Sequence, residues 1–203
     1  MAEQRLQGKK VAVLATDGFE QVELQAPIQA LREAGAQPQV IAPHGGEIQG
    51  YKHHEKGDKV RVDRELAQVR PDEFDALVLP GGVINPDQLR LVPEAIEFIH
   101  AFVDAEKPIA AICHGPWTLI DARGVEGRRM TSWPSLKTDL LNAGADWVDE
   151  EVVVDQGLVT SRRPDDLPAF CAKMIEEFAE GRHGRRPGRR PEAGHGGQIG
   201  EVM

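Results

Sequence analysis

Cys113 has the surroundings that most clearly point to chemistry. It follows Ile109-Ala110-Ala111-Ile112 and precedes His114-Gly115-Pro116. A buried strand that turns at once into a helix through a nucleophile sets that side chain on a tight elbow, as in G-x-S-x-G hydrolases. Ala111 and Gly115, two positions either side, supply the small residues that such a turn requires. At a helix N-terminus the macrodipole and free N–H groups favour a thiolate, so a lowered thiol pKa is expected. The same turn would aim the His114 N–H at an incoming oxyanion. Gly81 or Gly82, in Pro80-Gly81-Gly82, offers the second donor.

Glu20 follows the first apolar run and has two readings. It is an ordinary first-turn carboxylate, or it points across the sheet edge at Cys113. In the second case the carboxyl must be protonated, because a carboxylate beside a thiolate is unfavourable. A neutral Glu20 would then steady the thiolate and later move protons. The other candidates are weaker. Cys171 lies in an amphipathic stretch and reads as packed core. His53-His54, with His44 nearby, lack the convergent spacing of a zinc site. Gly45-Gly46 and Gly81-Gly82 lack a phosphate-loop pattern, so neither metal nor nucleotide cofactor is expected.

The elements that must position these residues alternate along the chain. Continuous apolar runs at 10–15, 39–42, 76–79 and 108–112 read as strands buried on both faces. Helical spacing runs over 20–34, 93–105, 115–122, 135–142 and 165–180, and a hairpin over 151–161 turns at Gln156-Gly157. Residues 43–59 have hairpin character. Strands alternating with helices imply a three-layer α/β/α sandwich with a mostly parallel central sheet. In such a sheet, ligands bind beyond the carboxyl ends of the strands, and there Asp17-Gly18-Phe19-Glu20, Pro80-Gly81-Gly82 and Cys113-His114-Gly115-Pro116 should meet.

Composition narrows the class. The 203 residues carry 24 Lys+Arg against 33 Asp+Glu, a net charge of −9, and two cysteines. No stretch reaches the roughly 18 apolar residues of a membrane span, and the polar start lacks an apolar leader. A cytoplasmic protein without a disulfide framework is expected. The charge divides unevenly. Residues 181–203 hold five Arg and two Glu, a net of +3, so residues 1–180 carry −12. The expected organisation is an α/β domain over 1–180 and a disordered Arg/Gly/Pro-rich tail over 181–203. An acidic body argues against nucleic acid as the principal partner.

Together, Asp17-Gly18-Phe19-Glu20-Gln21-Val22-Glu23-Leu24, Phe74-Asp75-Ala76-Leu77-Val78-Leu79-Pro80-Gly81-Gly82, Ala111-Ile112-Cys113-His114-Gly115-Pro116 and Glu151-Val152-Val153-Val154-Asp155 resemble the intracellular-protease (PfpI) branch of the ThiJ/PfpI superfamily. These proteins are relatives of the class I glutamine amidotransferases. The resemblance spans roughly 8–180 and implies a flavodoxin-like fold of that type. It implies Cys113 as nucleophile, Glu20 as the protonated carboxyl beside it and His114 as the adjacent imidazole. An acid from a neighbouring subunit would orient the imidazole, and here Asp87 is offered, on a loop one residue longer than usual. Trp133 stands at the pocket wall where relatives often carry Tyr. The implied partner is a second copy of the chain, in a homodimer or hexamer with a shared site. The implied activity is cofactor-independent and protects against stress. It would be deglycase or glyoxalase action on small carbonyl compounds and glycated proteins, with peptide hydrolysis as the alternative. A non-enzymatic redox sensor or chaperone would use the same thiol.

Overall fold

The computed structural model describes residues 5–182. The chain runs β1 (Lys10–Leu14), β2 (Phe19–Glu20), α1 (Gln21–Glu33), β3 (Gln37–Ala42), β4 (Glu47–Lys52), β5 (Glu55–Arg61) and β6 (Arg64–Glu65). It continues through β7 (Ala76–Leu79), α2 (Ile84–Leu89), α3 (Pro93–Asp104), β8 (Ile109–Ile112) and α4 (Trp117–Asp121). The last elements are β9 (Arg129–Met130), α5 (Lys137–Asn142), β10 (Asp146–Trp147), β11 (Val152–Asp155), β12 (Leu158–Ser161) and α6 (Leu167–Glu180). The tail expected at 181–203 falls outside the described residues from 183 onward.

A seven-stranded sheet in the order β11-β12-β8-β7-β1-β3-β6 forms the middle layer. All neighbours are parallel except β11 and β12, the hairpin that turns at Gln156-Gly157. The apolar runs are continuous because both faces are covered. Val11, Val13 and Ala15 face the core beneath α1 and α6, while Ala12 and Leu14 face the core beneath α3 and α4. The expected three-layer sandwich is the observed one.

Chain order reverses at β1: β3 lies on one side of it and β7 on the other, the position where open parallel sheets leave a crevice. Since β1, β7 and β8 are adjacent and parallel, the three loops singled out from the sequence emerge at one edge. Close approach there demands glycine. A Cβ on Gly82, whose φ is +81°, would lie 2.3 Å from the Gly18 carbonyl oxygen. A Cβ on Gly115 would lie 2.3 Å from that of Leu79.

Candidate active site

Cys113 sits one residue beyond β8 with a φ of 61°, a left-handed conformation that a non-glycine residue adopts at a cost of about 1–3 kcal/mol. The backbone around it keeps it there. Its N–H donates to Ser161 O at 3.0 Å, its carbonyl accepts from Trp133 N at 2.8 Å, and Gly115 N–H closes the turn onto Ile112 O at 2.9 Å. The elbow read from the sequence is therefore present, and Cys113 is buried at its tip.

Two features of the elbow differ from expectation. Helix α4 begins only at Trp117 and is five residues long, so Cys113 does not cap a helix and receives little help from a helix dipole. Burial instead pushes the thiol up, opposed by the backbone N–H groups of Gly82 and His114 that reach Sγ. The resting thiol is thus held protonated, not ionised.

The carboxyl beside the thiol is Glu23, not Glu20. Glu20 is the residue before α1, in extended conformation, and pairs with Tyr51 across β2 and β4. Its Oε2 accepts the His53 N–H at 3.0 Å, so its side chain points to the β4–β5 turn. Glu23 lies nearly one helical turn further on and points inward. It is fully buried, hydrogen-bonds Cys113, and accepts the Gly81 N–H on Oε2 at 3.0 Å. Desolvation, reinforced by the charge of Glu20, pushes Glu23 up to about 8. At neutral pH it holds a proton. The sequence did contain the signal: Glu23 falls inside the buried stripe of α1 formed by Leu24, Pro27, Ile28 and Leu31.

Of the two glycine donors expected at an oxyanion, Gly81 is already committed to Glu23, and Gly82 is the one that reaches Sγ. Gly81 packs so closely that a Cβ on it would lie 2.6 Å from Cys113 Cβ.

His114 Nδ1 lies 3.2 Å from Cys113 Sγ, and its Nε2 lies 3.4 Å from Ser135 Oγ. The Trp133 ring stacks on the imidazole at 5.7 Å with an interplanar angle of 24°. Burial depresses His114 to about 4, so it is a neutral imidazole at pH 7. The Trp133 ring covers one face of it. In a Trp133→Ala variant, a histidine titration followed by NMR is expected to move from about 4 toward the ordinary 6.5. An unchanged midpoint would mean that burial by other groups sets it.

Asp87 lies exposed on α2, close behind the glycine turn. Its expected role requires a second chain, and within one chain the neighbour of His114 Nε2 is Ser135. Cys171 is half-buried against the core of the α1 face, where desolvation raises it to about 11. His53 and His54 are exposed in the β4–β5 turn, and His44 faces Asp17 at 3.5 Å.

A thiol, a neutral carboxylic acid and a neutral imidazole thus converge on one buried point beside backbone donors, which is equipment for adding sulfur to a carbonyl and moving the proton. Known proteins resemble the whole domain. The DJ-1/PfpI family pattern matches residues 9–177. The deglycase PYRAB04690 of Pyrococcus abyssi is 47% identical over 167 residues, covering 82% of this chain and 98% of the relative. General stress protein 18 of Bacillus subtilis is 46% identical over 169 residues, covering 83% and 96%. Among solved structures, DJ-1beta of Drosophila melanogaster superposes with a TM-score of 0.77 at 31% identity, over 84% of this chain and 90% of that one. The chain belongs to the DJ-1/PfpI family.

Proposed function

We propose that this protein is a cofactor-independent cysteine enzyme of the deglycase or glyoxalase type, acting on small reactive carbonyls and their protein adducts in stress protection. The observation that carries the reading is the Cys113 elbow with Glu23, His114 and the Gly82 and His114 amides gathered on one sulfur.

With methylglyoxal the chemistry balances without an external oxidant. Sγ adds to the aldehyde carbon as its proton is relayed past His114 Nδ1 to the aldehyde oxygen, where the Gly82 and His114 N–H groups steady the charge that develops, giving a hemithioacetal. The Glu23 carboxylic acid gives its proton to the C2 oxygen and takes the C1 hydrogen, leaving an enediol; it then delivers that proton to C2 and recovers its own from the C1 hydroxyl. C1 rises to the thioester level while the C2 ketone becomes an alcohol. Water then cleaves the lactoyl thioester, returning the thiol and releasing lactate. On a glycated thiol or amine the adduct first collapses, the C1 hydroxyl passing its proton to the departing parent group, and the aldehyde so freed enters the same sequence.

Pure protein incubated with methylglyoxal, and separately with peptides, tests the reading. Lactate formation with intact peptides is expected. Peptide cleavage without lactate would move the protein to the peptidase class, and neither product would overturn the enzyme reading.

We further propose self-association in the cytoplasm, with Asp87 approaching His114 Nε2 from a second copy. Val83, Ile84 and Leu91 flank Asp87 in sequence, and they are large apolar side chains left 57%, 43% and 81% exposed. Light scattering is expected to give a dimer or larger. Asp87→Asn in that oligomer should lower turnover about tenfold, as loss of an orienting carboxylate would. A fully active monomer would remove Asp87 from the site.

A further inference from the structure

We propose that Asn85 is the positioning residue that aims the Gly81 and Gly82 amides into the active site. Its side chain is 1% exposed and its three contacts are all to backbone. Oδ1 accepts the Thr16 N–H at 2.8 Å, just beyond β1. Nδ2 donates to Pro80 O at 3.1 Å and to Gly81 O at 3.2 Å, just beyond β7. One primary amide therefore joins the ends of two adjacent strands at the crevice where chain order reverses.

The two carbonyls it grips explain its importance. Pro80 O and Gly81 N–H belong to one peptide group, and Gly81 O and Gly82 N–H to the next. In a planar trans peptide the C=O and the N–H point in opposite directions. Fixing each carbonyl on Asn85 therefore directs each N–H the other way. Gly81 N–H goes to Glu23 Oε2 at 3.0 Å, and Gly82 N–H goes to Cys113 Sγ. Glu20 N–H adds a longer bond to Gly81 O, 3.3 Å, but among the described residues only Asn85 holds both peptides at once. Gly82, at a φ of +81°, has no side chain to resist rotation of the turn, so the restraint has to come from outside it. Asn85 is the second residue of α2, so its buried amide ties the start of that helix to the glycine turn.

The inference rests on the proposed function for the use of these amides in turnover, but not for their effect on the thiol. It is therefore tested on both. Asn85→Ala should lower kcat on methylglyoxal by about 10- to 100-fold with KM nearly unchanged, the pattern of a lost oxyanion donor. In the full chain, alkylation of Cys113 by iodoacetamide, read by intact mass, should be at least about tenfold slower at pH 8, because one N–H no longer reaches Sγ. Asn85→Asp is isosteric. Ionised, it places a carboxylate against two carbonyls. Protonated, it can donate to one of them. Its alkylation rate relative to wild type should therefore be lowest at pH 8–9 and recover toward pH 5. A wild-type alkylation profile in folded Asn85→Ala overturns the proposal, as does an Asn85→Asp to wild-type ratio that stays constant across that range. The second comparison decides the matter if Asn85→Ala does not fold. Alkylation differences without any carbonyl turnover in wild type would sink the proposed function and leave the role of Asn85 standing.

Discussion

Replacing Cys113 with Ser is expected to lower methylglyoxal turnover by at least about 10³-fold, while the melting temperature changes by only a few degrees. The size of the loss follows from the geometry. Sγ is the atom on which the Gly82 and His114 N–H groups and the Glu23 carboxyl converge. A serine hydroxyl in the same place is a far weaker nucleophile and holds its proton far more tightly than a thiol does. The small effect on stability follows as well. The strained φ of 61° belongs to the backbone and is held by the Ser161, Trp133 and Ile112 contacts, none of which involves sulfur. A variant that loses stability and activity together would mean that the thiol is a packing group. The comparison is made by lactate assay and thermal melting on the same sample.

The second large effect separates the two glutamates. Glu23→Gln keeps an acceptor for Gly81 N–H and a donor for Sγ, but it cannot give up or take a proton. Turnover should fall about 10²-fold or more, as for loss of a general acid–base group. Glu20→Gln, whose carboxyl faces His53, should lose less than about tenfold. Stability gives an independent reading. Glu23 titrates near 8 in the folded chain against 4.5 unfolded. Between those values the folded state holds a proton that the unfolded state has released, so stability falls as pH rises from about 5 to about 8. The loss is on the order of a few kcal/mol. Glu23→Gln removes this dependence. It should melt about 5 °C or more above wild type at pH 9 and close to it at pH 5. The opposite order at pH 9 would mean that Glu23 is already ionised in the native protein at neutral pH.

The sequence disclosed some levels of this structure and concealed others, for identifiable reasons. The strands at 76–79 and 109–112 were legible because burial on both faces leaves an unbroken apolar run, which few other environments tolerate. The elbow was legible because its steric demand falls on neighbours in the chain, Ala111 and Gly115. Glu20 and Glu23 could not be told apart by proximity in sequence. They differ by the phase of α1, and that phase depends on a two-residue pairing of Phe19-Glu20 with Gly50-Tyr51, too short to leave a periodic signal. A carboxylate inside an apolar stripe was the available clue. The thiol's proton affinity was not legible, because neither the shortness of α4 nor the depth of burial at the elbow is written in the neighbouring residues. Asn85 carried no sequence signal, since its partners Thr16, Pro80 and Gly81 come together only when β1 and β7 pair.

The measurement that bears most directly on covalent catalysis by Cys113 is intact and peptide mass spectrometry of enzyme quenched in acid during methylglyoxal turnover. The hemithioacetal and the lactoyl thioester are isomers, so both appear as one added methylglyoxal. The account predicts that this mass accumulates on the peptide containing Cys113, decays as substrate is exhausted and is absent from Cys113→Ser. Lactate formed by the wild type with no adduct at Cys113, or with an adduct confined to Cys171, would contradict it.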